Sequence, residues 1–304
     1  MRVVSLLPSA TEIVYALGVE PVATSHECDY PPRAADLPDA NRARVDPTAS
    51  AGEIDAQVLD AEESGGVYAI RKDVLAEADP DVIVSQGICD VCAVDEVLVR
   101  EAVEELGLDC EVVTTDPHSL SDVLDDIERL GTALDREARA AEVVADLRER
   151  VADIEARAAA AGGDTPRVAV FDWTDPAMVA GHWIPGMVER LGGEFGLQER
   201  GAASRPFEWE EIRAYDPEVA VVAPCGFDLA QTAANLGDLT DREGWDDLAA
   251  VRNDRAFALD GHRFVNRPGP RLVETMAYLG WCLSPDAFDA PPADAARRLE
   301  RRVA

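Results

Sequence analysis

The sequence predicts an α/β protein of two parallel-sheet lobes joined by a long rigid helix, with a ligand cleft between the lobes. Three observations carry that expectation. A strand-then-helix grammar fills the first 118 residues and returns after residue 164; a stretch nearly free of Pro and Gly, 119–163, separates the copies; and the least ordinary residues gather in loops that follow strands. Strands alternating with helices favour parallel sheets. The implied organisation is an N-terminal lobe 1–118, a connecting helix region 119–163 and a C-terminal lobe 164–304.

The first copy opens with the β-rich run Val3 to Leu7. Ser9-Ala10-Thr11-Glu12 then has the form of a capping box, so a helix is expected through Ile13, Val14 and Leu17, stopping at Gly18. A strand around Val22 to Thr24 leads into His26-Glu27-Cys28-Asp29-Tyr30-Pro31-Pro32, where the prolines forbid regular structure. Asp79-Pro80-Asp81 precedes the buried-strand run Val82-Ile83-Val84 and a loop holding Cys89 and Cys92. A helix from about Val94 to Leu106 and a strand from Glu111 to Thr114 complete the half.

The second copy repeats this order. Arg167-Val168-Ala169-Val170-Phe171 matches Arg2-Val3-Val4-Ser5-Leu6, and Asp216-Pro217-Glu218-Val219 matches Asp79-Pro80-Asp81-Val82. Each Asp-Pro-strand unit runs into a cysteine-bearing loop, at Cys89 and at Cys225. Between the copies, Leu120, Val123, Leu124, Ile127 and Leu130 fall at helical spacing, as do Val143, Val144, Leu147, Val151 and Ile154. A helical connection of this length is a stiff spacer, so the cleft should move little.

Composition limits the partners. The chain carries 28 Lys+Arg against 60 Asp+Glu, a net charge of −32, and Lys72 is its single lysine. So acidic a surface repels nucleic acid and anionic membrane, because phosphate binding needs clustered positive charge. It reads instead as solubility in a salty, halophilic setting. No apolar run reaches the roughly 18 to 20 residues of a membrane span, so membrane insertion is not expected. The opening residues have the form of neither a secretory signal nor a lipidation site; if Met1 is the authentic start, the cytoplasm is expected. In that compartment the six cysteines are expected as thiols or ligands rather than disulfides.

Ligands of open parallel sheets bind beyond the carboxyl ends of the strands. The loops there hold His26 and Cys28, Cys89 and Cys92, the segment Trp173 to Trp183, Cys225-Gly226-Phe227, and Gly261 to Arg271, with Pro268-Gly269-Pro270 before a final helix Leu272 to Leu283.

The order of these segments resembles the helical-backbone (class III) substrate-binding proteins of ABC importers, the group that carries cobalamin, ferric siderophores and haem. Residues 2–12, Asp29-Tyr30-Pro31-Pro32, Asp79 to Val84 and Pro270-Arg271 are most similar to the cobalamin-binding branch. The resemblance covers nearly the whole chain. It implies a small-molecule ligand, an ABC permease partner, and a cleft lined by Tyr30, Trp173, Trp183, Phe264 and Arg267. It also makes Glu53 and Glu210 similar to the acidic residue that each lobe offers to permease arginines; solvated surface is the alternative. Relatives of this kind are exported, a point on which the chain's opening departs from them.

The cysteines form a second departure. Cys89-x-x-Cys92 with Cys28 and Cys225 has the donor number of a zinc or iron–sulfur site, provided that the lobes face each other; redox chemistry or small buried hydrophobes are the other readings. Cys110 and Cys282 read as buried packing. His26 and His182 are candidate metal ligands, including of a corrinoid cobalt, or loop hydrogen-bonders; His262 is a lesser candidate and His118 reads as structural. Trp173 and Trp183 suit stacking on a flat macrocycle or anchoring of their loops. Arg267 and Arg271 suit clamping of ligand carboxylates or amides, or pairing with acidic neighbours.

No phosphate-cradling Gly-rich loop, Gly-x-Ser-x-Gly or His-Glu-x-x-His occurs. The leading expectation is therefore a non-catalytic binder of cobalamin or another metal-bearing macrocycle. The rival is a cytosolic metal- or iron–sulfur-binding enzyme or sensor on the same scaffold.

Overall fold

The computed structural model describes residues 1–63, 66–88, 94 and 96–300. Its N-terminal part runs β1 (Val3–Ser5), α1 (Pro8–Ala16), β2 (Ala23–Thr24), β3 (Asn41–Ala43), α2 (Ala51–Glu63), β4 (Tyr68–Ile70), α3 (Lys72–Ala78), β5 (Val82–Gln86), α4 (Glu96–Leu106) and β6 (Glu111–Thr115). Four strands form a sheet in the order β2-β1-β5-β6, with every neighbour parallel. β3 and β4 pair separately as an antiparallel ribbon.

After α5 (Leu120–Ala133) and α6 (Glu137–Ala161) come β7 (Val168–Trp173), β8 (Met178–Val179), α7 (Trp183–Arg190), β9 (Arg205–Pro206), α8 (Trp209–Tyr215) and β10 (Val219–Val222). Then follow α9 (Leu229–Asn235), α10 (Gly237–Thr240), α11 (Ala249–Arg252), β11 (Ala256–Leu259), α12 (Leu272–Leu283) and β12 (Ala296–Arg298). The second sheet has the order β12-β11-β10-β7-β8-β9. Only its centre is parallel. β8 folds back on β7, β9 on β8, and β12 lies antiparallel to β11, so the expected parallel lobe is a mixed sheet.

The repeated sequence units occupy equivalent places. Val3 pairs with Val82 and Val168 with Val219, in parallel and in the same register of the repeat. In both copies the arginine before the strand turns back to cap the preceding helix of its neighbour. Arg2 Nε donates to the carbonyls of Ala78 and Asp79, at 2.6 and 3.2 Å; Arg167 Nε donates to those of Tyr215 and Asp216, at 2.9 and 3.1 Å. Asp79 and Asp216 both end their helices in the left-handed region, with φ of 41° and 46°. An aspartate tolerates that conformation better than most residues, and the following proline prevents the helix from continuing.

The connection is two helices rather than one rod. α5 and α6 meet through a tight turn in which Asp135 is left-handed (φ 54°), and Gly131 lets Ala140 approach closely. Both sequence stripes are buried, Leu120 to Leu130 on α5 and Val143 to Ile154 on α6. α6 reaches both lobes: Arg139 donates to the Ala16 carbonyl near one end, and Arg157 to the Ala287 carbonyl near the other. At 25 residues it spans roughly 37 Å. Its apolar face joins α1, α5, α12 and the second sheet in one continuous core, while a separate core fills the other face of the N-terminal sheet.

One local expectation is overturned. α1 starts at Pro8, its N-cap is Leu7 without a side-chain cap, and Ser9 and Glu12 lie buried inside the helix. Glu12 does not reach back to close a capping box. Its carboxylate points across the molecule.

Candidate functional site between the lobes

Glu12 meets two arginines from the segment before α12. Arg271 Nε donates to Glu12 Oε2 at 3.0 Å and Arg271 Nη2 to Oε1 at 2.5 Å, the fork geometry that fits a carboxylate. Arg267 Nη1 reaches the same Oε1 at 3.4 Å and donates to Asp29 Oδ1 at 2.5 Å. His262 Nε2 lies 3.4 Å from Asp29 Oδ2 and 2.8 Å from Arg267 Nη2. Glu12 and Asp29 belong to the N-terminal lobe, the other three residues to the C-terminal lobe. The side chains of Glu12, Arg267 and Arg271 are only 2%, 5% and 11% exposed, whereas that of Asp29 is 40% exposed. Removing one partner from such a buried set leaves an uncompensated charge, so the members depend on one another.

Burial alone would raise the Asp29 pKa, but hydrogen bonds from His262 and Arg267 and the Arg267 charge outweigh it and hold the carboxyl far below its usual value. Arg271 experiences the same contest. Burial disfavours its charge, the Glu12 carboxylate restores it, and the pKa ends above the ordinary arginine value.

Aromatic rings flank the ion cluster. The Arg271 guanidinium carbon lies 4.1 Å from the ring centre of Tyr30, on the N-terminal lobe, and 5.2 Å from that of Phe264, on the C-terminal lobe. Phe264 is buried edge-on against Tyr278, at 5.1 Å. Tyr30 is different: at 46% it is among the few exposed large hydrophobic side chains. Exposed aromatic area beside a buried, charge-balanced cluster is a stacking surface.

On another side of the junction, Trp173 and Phe227 of the C-terminal lobe pack at 5.2 Å and form a small apolar cluster with Ala51 and Ile54 of α2. The Trp173 indole N–H donates to the Asp175 carbonyl at 3.1 Å. The Ala51 N–H donates to Asn235 Oδ1 at 3.0 Å, and Gln231 Nε2 to the Pro47 carbonyl at 3.1 Å. Trp173 therefore holds the lobes together, with α2 covering its ring.

Trp183 takes the second of its two expected roles, anchoring a loop, and not the cleft-lining position implied by the resemblance. It is buried in the shared core with its indole N–H on the Val265 carbonyl at 3.0 Å, anchoring the 261–265 turn that carries Phe264. His182 caps α7 in a left-handed conformation (φ 51°) and stacks between Trp183 and His118, 5.6 Å from each. Burial, then the neighbouring His118, push its pKa down.

The metal reading gains no support from the described ligands. Among the described residues no group of three or more His, Cys, Asp or Glu side chains could hold a metal ion. His26 has both ring nitrogens in use: Nδ1 pairs with Asn41 Oδ1 at 2.9 Å, and Nε2 accepts from the Ala43 N–H at 3.3 Å. Cys28 is buried with its Sγ 3.1 Å from Thr11 Oγ1, and burial pushes its thiol up to about 12, away from the thiolate a metal needs. Cys225 is half-buried in the loop after β10. Cys89 and Cys92 lie outside the described residues. Cys28, Cys225 and His26 thus do not assemble into a three-donor group, and Cys28 and His26 are committed to local partners.

Glu53 and Glu210 are exposed in the first turns of α2 and α8, one on each lobe. Glu53 Oε2 accepts from the Ser50 hydroxyl at 2.7 Å and its N–H at 3.0 Å. A cavity of about 180 Å³ lined by Leu236, Thr240, Trp245, Val251 and Leu299 lies within the C-terminal lobe, away from this crevice. It is smaller than the roughly 300 Å³ at which small-molecule pockets begin.

Sequence reasoning brought Tyr30, Phe264, Arg267 and Arg271 into one place. It missed Glu12 and Asp29 as site residues and gave His262 little weight. The Asp-Tyr-Pro-Pro turn was a signal for Asp29; for Glu12 there was none, since its three-residue spacing from Ser9 has a simpler local explanation.

Comparisons with known proteins agree with this architecture. A family model described as periplasmic binding protein matches residues 3–262. The chain is 23% identical over 290 residues to an ABC transporter substrate-binding lipoprotein of Bacillus subtilis, which covers 94% of this chain and 81% of that protein. It is 23% identical over 281 residues to a vitamin B12-binding protein of Vibrio cholerae, covering 90% and 86% respectively. Its fold matches the crystal structure of a periplasmic heme-binding protein from Pseudomonas aeruginosa with a TM-score of 0.74 at 20% identity, over 100% of this chain and 99% of that one. Among the described residues no helix is long and apolar enough to cross a membrane. The resemblance read from residues 2–12, the Asp-Tyr-Pro-Pro turn and the Asp-Pro-strand units holds for fold and for family: the chain belongs to the periplasmic binding protein family.

Proposed function

We propose that this protein is the substrate-binding component of an ABC importer and that it carries a metal-bearing macrocycle, with cobalamin as the favoured ligand. The observation that carries the reading is the Tyr30–Arg271–Phe264 stack, in which residues from both lobes converge beside the exposed ring of Tyr30. A flat ring system gains most from such a face. The adjacent guanidiniums are already matched by Glu12 and Asp29, which suits a periphery of neutral amides better than one of carboxylates. Family membership and the vitamin B12-binding relative support the same choice. In this reading the protein is a non-catalytic carrier, and Glu53 and Glu210 meet permease arginines. Calorimetric titration of the purified protein with cyanocobalamin tests it. Saturable one-to-one binding in the micromolar range or tighter is expected; absence of heat and of any dialysis retention would remove cobalamin as the ligand.

A further inference from the structure

We propose that Glu12 is the residue that sets the charge preference of the crevice: by neutralising Arg271 and sharing Arg267, it makes the site select a neutral ligand periphery over a carboxylate-bearing one. The inference rests on the ligand class proposed above and adds the residue that determines it.

The charges on the page close on themselves. Two guanidiniums, Arg267 and Arg271, face two carboxylates, Glu12 and Asp29. Glu274 pairs with Arg150 at 3.7 Å while its charge also reaches Arg271, and Glu27 accepts from the Tyr68 hydroxyl at 3.2 Å. His262 Nε2 sits between Asp29 Oδ2 and Arg267 Nη2, at 3.4 and 2.8 Å, and serves one or the other according to whether it carries a proton. The four side chains in direct contact thus carry no net formal charge beside Tyr30, and Glu274 and a total charge of −32 further oppose anions. Glu12 is the member placed to control this balance, because one buried carboxylate contacts both arginines. Replacing it by an isosteric amide keeps the volume and an acceptor oxygen, and leaves one guanidinium charge unmatched in a poorly solvated place. Felt across about 10 Å, such a charge changes affinity for a ligand carboxylate by about tenfold.

The test compares cyanocobalamin with the derivative in which one peripheral amide has been hydrolysed to a carboxylate, titrating each into wild type, Glu12→Gln, Asp29→Asn and Arg271→Gln. The amide-to-carboxylate affinity ratio should fall by about tenfold in Glu12→Gln and move the same way in Asp29→Asn, whose half-exposed site makes it the safer variant for folding. In Arg271→Gln the ratio should rise. A purely structural role would weaken both ligands together and leave the ratio fixed. If wild type binds cyanocobalamin and the ratio is unchanged in the folded variants, the assignment of Glu12 is wrong while the carrier function stands; if wild type binds neither compound, it is the carrier reading that fails.

Discussion

Arg271 and Glu12 lie 259 residues apart and meet in a two-point contact at 3.0 and 2.5 Å. The pair joins the first helix of the chain to the segment that opens the last long one, so it ties the lobes together beside Tyr30. Its consequences for stability are large because both side chains are buried.

Glu12→Ala should destabilise the protein by about 3–5 kcal/mol, the usual cost of leaving a buried ion without its partner. Urea unfolding followed by tryptophan fluorescence measures this. A loss below about 1 kcal/mol would mean that water reaches the arginines.

Trp173→Ala should cost a similar amount, about 3–5 kcal/mol, since a buried aromatic anchor is removed. Because the ring packs on Ala51 and Ile54 of the opposite lobe, the variant should also exchange amide hydrogens faster along α2. Exchange mass spectrometry reads this directly, and unchanged rates on α2 would contradict the packing.

Stability should rise as the pH falls from about 7.5 to about 5. Burial pushes Asp172 and Asp126 up to about 6, from an ordinary 3.8, despite the Ser204 hydroxyl on Asp172 and the Arg129 charge beside Asp126. A raised carboxylate pKa means that the folded state holds a proton which the unfolded chain releases, so the folded state is favoured below about 6. Asp29 acts oppositely. Its depressed pKa supplies stability above 3.8 that disappears only at more acid pH, outside this window. His182, whose pKa burial lowers from 6.5, opposes the trend inside the window and is outweighed by the two carboxylates. Asp172→Asn should remove part of the pH dependence and stabilise the protein at pH 7.5 by about 2 kcal/mol; thermal melts at several pH values measure both effects.

Native protein at pH 8 should resist alkylation by iodoacetamide at Cys28 and Cys282. Both thiols are buried and burial pushes both pKa values well up, Cys28 to about 12. Peptide mapping should find these two sites modified only after unfolding. Ready labelling of Cys28 in folded protein would reopen it as a ligand.

The melting temperature should rise as KCl increases from about 0.1 to about 2 M. Screening shortens the reach of the self-repulsion that a charge of −32 creates. A flat or falling curve would remove the salt-adapted reading of the composition.

The legible parts of this fold were those with local causes. Arg2 and Arg167, with their Asp-Pro partners, marked equivalent strands because strand pairing and helix capping repeat at short range. The stripes of α5 and α6 were legible for the same reason. The turn between those helices depended on one glycine and one left-handed aspartate, features that composition hides. In the site, Tyr30, Phe264 and Arg271 were recognisable from loop position and resemblance. The partners of Arg267 and Arg271 were not, because an ion pair across the whole chain leaves no trace in spacing. Trp183 and Cys28 show the same limit from another side: their residue types suit a ligand, but burial decided otherwise.

Hydrogen exchange of the whole protein, with and without cyanocobalamin, tests the shared crevice most directly. Protection should appear together in residues 26–32 of the N-terminal lobe and in 261–271 of the C-terminal lobe. Protection confined to one lobe, or centred on the 233–254 region around the small C-terminal cavity, would contradict a ligand held between them.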